Sequence, residues 1–216
     1  MDSCVGTTRV QSVPRYPAVV IKWAAVLVVL ALVVGASTGA AAPSLAEPNP
    51  FLANYGLEAL PANYSLVPRA DLSQYDSVEG MAVGFSDLNM VLVESKLDPL
   101  DEVEISLHEW LHQVSFKSEY SNSYSREFNL IYEEGPVQAV TSDLLPNYWH
   151  WLTGKRLRSF NTLFYFYNPY YPDEVGIWRA ASVRATGQPV RSRAAREWRA
   201  NVLLIPLSDR PALLSR

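Results

Sequence analysis

The sequence predicts an α+β fold, from three observations. Two short β-favouring runs lie between residues 80 and 94, apolar residues then recur at helical spacing from Leu100 to Val114, and a second helical stretch follows from about residue 127. At 216 residues, 49% hydrophobic and 19% charged, the chain is long enough for one ordinary domain with a real core, plus one very apolar segment. The net charge of −4 and the lack of a basic groove interleaved with aromatics in the central region argue against nucleic acid as a partner.

Residues 1–46 read as a cytoplasmic N-region followed by a signal peptide or signal anchor. Arg9, Arg15 and Lys22 precede an apolar run over 23–34, which gives way to small residues over 35–42. Ser44-Leu45-Ala46 offers a cleavage site ahead of Glu47. Uncut, residues 21–42 are just long enough to cross a bilayer as a single N-terminal helix with the basic end in the cytoplasm. Either way, the rest of the chain is expected outside the cytoplasm, secreted or anchored. The only cysteine, Cys4, precedes the apolar run, so the exported part has no disulfide and relies on its core or on a metal.

Residues 47–74 contain Pro48, Pro50, Pro61 and Pro68 and read as a linker and irregular lead-in. The expected domain spans 75–186. It begins with strands at 80–85 and 89–94, joined by Ser86-Asp87-Leu88 as a hairpin or as neighbours. A helix starts at Pro99, with Asp98 as N-cap, Asp101 and Glu102 in the first turn, and Leu100, Val103, Leu107, Trp110, Leu111 and Val114 on its apolar face. A polar loop over 117–126 leads to the second helix, roughly 127–145. Pro136 belongs in a first turn, which puts the helix proper near Glu133. Aromatics crowd 148–152 and 160–171, and most are expected in the core. Over 187–216 acidic residues almost vanish while Arg191, Arg193, Arg196, Arg199, Arg210 and Arg216 accumulate, which reads as a solvated helical face and a frayed tail, or a patch for an anionic membrane.

The chemistry is expected at His108-Glu109-Trp110-Leu111-His112, which holds two of the chain's three histidines. On a helix His108 and His112 lie about 40° apart, so both imidazoles can bind one ion. Glu109 is displaced from that face, where its carboxylate can reach a water on the ion without being a ligand, the position of a general base. Zn2+ is the expected cofactor.

This helix, the loop after it, and a second helix opening with Glu134-Gly135 resemble the gluzincin branch of the zincin metallopeptidases. The resemblance covers about residues 80–145 and implies peptide-bond hydrolysis of a peptide or protein substrate. It implies Glu134, roughly twenty positions beyond His112, as the third zinc ligand. Glu133 is the alternative, because adjacent helical residues point about 100° apart and only one is expected to face the ion. Gly135 would let the two helices approach. A downstream Tyr or His would bond the oxyanion, with His150, Tyr170 and Tyr171 as candidates. Position 138, where some members carry an Asp that orients a ligand His, is Gln138, a weaker acceptor. The metzincin pattern is rejected, since residues 113–118 contain neither Gly nor His. An edge strand over Met90–Glu94 would hold an extended peptide. The competing reading is a non-catalytic cell-envelope interaction module with a structural or vestigial zinc site. Glu109 separates the two, because a structural site has no use for a carboxylate beside its first His.

Overall fold

The computed structural model describes residues 43–73, 79–85, 88–117, 124–159, 161–162, 166 and 169–215. They belong to one unit, Ala41–Arg216, of α+β architecture. The apolar N-terminal run and its proposed role in export lie outside the described residues. Among the described residues, no helix is long and apolar enough to cross a membrane.

The lead-in is part of the domain. A short helix α1 (Asn49–Leu52) buries Phe51 and Leu52, and Leu57 and Ala59 follow them into the core. Strand β1 (Asn63–Val67) runs parallel to β3 (Leu88–Glu94), pairing Asn63 with Met90 and Val67 with Glu94. Between them come a single turn, α2 (Arg69–Leu72), and β2 (Gly80–Phe85), which pairs antiparallel to β3 as expected of neighbouring strands. The order is β1-β3-β2. Met90–Glu94 is therefore central, not an edge, and among the described residues the edge strand on the site's side is β2.

Helix α3 (Pro99–Phe116) begins where the proline predicts, although the Asp98 side chain makes no cap bond. Val103, Leu107, Trp110, Leu111 and Val114 are all buried, as their spacing requires. The helix lies between the sheet and the second long helix, so its polar residues from Ser106 to Ser115 are buried as well. Gln113 links it to the sheet, donating from Nε2 to the carbonyls of Val83 (2.9 Å) and Met90 (3.2 Å).

The second helical stretch starts within a residue of the expected position and ends later than expected. Ser125 caps α4 (Arg126–Asn129) by accepting from the Phe128 amide; one π turn spans Leu130–Glu134, and α5 (Gly135–Thr153) runs on through Pro146. Helices α6 (Pro172–Thr186), α7 (Arg193–Val202) and α8 (Pro211–Leu214) complete the domain. A second small core of Ala139, Val175, Trp178 and Val202 joins α5, α6 and α7. Gly135 serves this packing and not the approach of α3: a Cβ there would sit 3.0 Å from Glu174 Cβ and 3.0 Å from Trp178 Cδ1 of α6.

The C-terminal arginines divide. Arg191 and Arg193 are exposed and Arg196 half-buried, but Arg199 and Arg210 are fully enclosed. Residues 187–215 are thus a structural part of the domain rather than a solvated tail.

Candidate metal centre

Helix α3 presents His108 and His112 one turn apart, and the π turn presents Glu133 and Glu134 to them. Nε2 of His108 lies 3.1 Å from Nε2 of His112, and Oε2 of Glu134 lies 3.2 Å from the first and 3.3 Å from the second. Ligand bonds of about 2.0–2.1 Å in a tetrahedral site put neighbouring ligand atoms about 3.3 Å apart, so this triangle has the edges a small four-coordinate ion imposes. His108, His112 and Glu134 can hold a metal ion.

Both glutamates reach the histidines, although a regular helix would let only one do so. Oε1 of Glu133 lies 2.9 Å from Nδ1 of His112, while Glu134 takes the Nε2 side. The π turn makes this possible, and Pro136 explains the turn. Pro136 has no N–H for the carbonyl of residue 132, and the Gly135 amide bonds back to Leu130, five residues away. Two carbonyls are released, and side chains from distant segments take them up: Trp178 Nε1 donates to Ile131 (2.5 Å) and Arg210 to Tyr132 (2.8 Å).

Burial opposes the charges of His112, Glu133 and Glu134, yet their hydrogen bonds and the opposite charges outweigh it. Glu134 and Glu133 hold His112 well above the usual imidazole value. The imidazoles in turn hold Glu134 below the usual carboxylate value, and His112 with Arg210 does the same for Glu133. Glu109 behaves differently. Burial pushes its carboxyl up, moderated by His108 and His112 and by a bond from the Ala82 amide of β2. Strand β2 presses on it so closely that a Cβ on Gly80 would lie 2.8 Å from Glu109 Oε1, and would also collide with Ile105.

Of the candidate oxyanion residues, the structure brings Tyr171 to the cluster. Its ring centroid is 6.4 Å from that of His108, and its hydroxyl faces Glu134. Its backbone has φ 52°, a left-handed conformation costly for a bulky residue and more so before Pro172, which starts α6. Tyr170 instead donates to Glu79 at 2.8 Å. His150 is exposed in the last turn of α5, about 24 Å along the axis from Glu134, and is not part of the cluster.

Gln138 also departs from expectation. It donates from Nε2 to Glu104 Oε1 (3.0 Å), while its Oε1 and Nδ1 of His108 are buried without a partner. Burial pushes the Glu104 carboxyl up to about 7, against Gln138 and His108, which lower it. A carboxyl raised on folding keeps its proton better in the folded state, so its stabilisation is whole below about pH 4.5 and is lost as pH rises through about 7. In the metal-free chain, Glu104→Gln is therefore expected to be the more stable form at pH 8, by about 3 kcal/mol relative to the difference at pH 4. Urea unfolding at both pH values measures this, and parallel pH slopes for parent and variant would contradict it.

The sequence pattern does not disclose Arg210 or Ser115, which bond Glu133, or Arg199, which bonds Asp143. Ser115 stands three residues beyond His112 on the same helical face, which is a weak signal; the arginines carry none. Comparison with protein families, curated proteins and solved structures finds no match to this chain.

Proposed function

We propose that the chain is a zinc-dependent peptide-bond hydrolase of gluzincin type. The observation that carries this reading is the triangle of His108 Nε2, His112 Nε2 and Glu134 Oε2, with edges of 3.1, 3.2 and 3.3 Å, beside the buried carboxyl of Glu109. Two imidazoles and a carboxylate are a donor set suited to zinc, and three protein ligands leave a fourth position open. A zinc ion there supplies Lewis acidity, lowering the pKa of a water in the open position and polarising a carbonyl.

The remaining steps belong to the chain. Glu109 takes the proton of the attacking water and returns it to the leaving amine. The Ala82 amide and the close packing of Gly80 hold Glu109 in place for this. Tyr171 stands over His108 with a hydroxyl that can turn from Glu134 to a developing oxyanion. A cavity of about 420 Å³, lined by Arg126, Asn129, Glu134 and Tyr171 among others, opens beside the triangle and gives a substrate room. The edge of β2 suits an extended peptide adding as a strand. Glu109 weighs against the non-catalytic alternative, since a carboxylate buried there without being a ligand has no use in a structural zinc site.

The test is a library of unstructured peptides incubated with the zinc-loaded chain and analysed by mass spectrometry. New termini are expected with the loaded chain, and none after chelation. A zinc-loaded, folded chain that cleaves no peptide would overturn the hydrolase reading.

A further inference from the structure

His112 is tied to the C-terminal segment by residues that occupy no ligand position. Its Nδ1 faces Glu133 Oε1 at 2.9 Å, which leaves Nε2 for the triangle. The other oxygen of Glu133 accepts from Ser115 Oγ at 2.8 Å and from Arg210 Nη1 at 2.7 Å. Arg210 Nη2 donates in turn to Ser115 Oγ at 2.6 Å, so guanidinium, hydroxyl and carboxylate close a ring of three bonds. The remaining guanidinium donors reach the carbonyls of Tyr132 (2.8 Å), Ile205 (3.1 Å) and Leu203 (3.4 Å). Arg210 and Ser115 are 0% exposed and Glu133 7%.

One side chain from residue 210 thus grips both the side chain of Glu133 and the backbone of the π turn that carries Glu134. Stability alone does not account for such a group, because replacing buried ion pairs by apolar residues is often neutral or stabilising. An apolar pair could not, however, present a fixed anionic acceptor to Nδ1. That acceptor sets which nitrogen of His112 carries the proton and raises the basicity of Nε2. Resting on the reading of the triangle as a metal centre, we infer that Arg210 is a positioning residue for that metal, acting through Glu133 and His112.

The test is the zinc dissociation constant, measured by competition with a chromogenic chelator, at a temperature where far-UV circular dichroism shows every metal-free variant fully folded. Glu133→Gln keeps an acceptor but loses the charge, and is expected to weaken zinc binding by about 10–100-fold. Arg210→Lys keeps a charge but loses the planar fork that spans Glu133, Ser115 and Tyr132, and is expected to weaken it by about 10-fold. Arg199→Lys breaks a comparable buried fork at Asp143, about 13 Å along α5 from Glu134, and is expected to lower the melting temperature while leaving zinc affinity within about twofold. Unchanged affinity in both Glu133→Gln and Arg210→Lys, or an equal loss in Arg199→Lys, would overturn the inference. A folded parent that takes up no zinc would overturn the metal reading beneath it, and is told apart because no parent constant then exists.

Discussion

Replacing Arg199 by alanine is expected to cost about 3–5 kcal/mol of folding stability. Arg199 is 0% exposed and spends its donors on three different segments: Asp143 Oδ2 of α5 (2.7 Å from Nε), Ser182 Oγ of α6 (2.6 Å) and the Val190 carbonyl (2.9 Å). Burial already holds the Asp143 carboxyl above the usual value even with Arg199 beside it. Without the guanidinium, Asp143 must either ionise in the interior with only the field of Arg196 and Arg179 to offset burial, or carry a proton, and both cost free energy. Removing both charges together tests the origin of the loss. The double variant Arg199→Met, Asp143→Leu is expected to recover much of it, because the penalty lies in the stranded partner rather than in a favourable pair. Urea unfolding of the metal-free variants measures both, and a loss under about 1 kcal/mol in Arg199→Ala would show that the site is effectively solvated.

Glu109→Gln is expected to lower peptide hydrolysis by about 10²–10⁴-fold while zinc content is unchanged. The substitution is nearly isosteric, which matters where β2 is so close that Gly80 has no room for a side chain. The amide oxygen can still accept from the Ala82 amide, but the group can no longer take or return a proton. A fall in turnover with little change in KM is the expected signature of an interaction made in the transition state. Equal turnover in parent and variant would show that Glu109 is not the base, and simultaneous loss of zinc would show that it is a ligand.

The sequence makes legible what rests on local spacing. Pro99 starts α3, the apolar period of Leu107, Trp110, Leu111 and Val114 orients it, and the interval from His108 to His112 puts both imidazoles on one face. Residues Gly80–Phe85 and Leu88–Glu94 are β-favouring runs that lie close enough to pair with each other. What stays hidden depends on partners distant in the chain. β1 sits in a proline-rich stretch and earns its place through parallel pairing with β3, which no local pattern encodes. Arg199 and Arg210 resemble their exposed neighbours in composition, and only partners 56 and 77 residues away bury them. The π turn is an intermediate case. Pro136 signals a break in the helix, but whether the chain starts a new helix or widens the old one depends on Trp178 and Arg210 arriving to take the freed carbonyls. The regular-helix rule therefore chooses between Glu133 and Glu134 where the structure uses both.

The most direct measurement is zinc content per chain by elemental analysis, on the purified protein beside His108→Ala and Glu109→Gln. One zinc in the parent, loss of it in His108→Ala and retention in Glu109→Gln are the expected results, since His108 provides a corner of the triangle and Glu109 does not. A folded parent that stays free of zinc after the metal is supplied would contradict the metal centre and the hydrolase reading built on it.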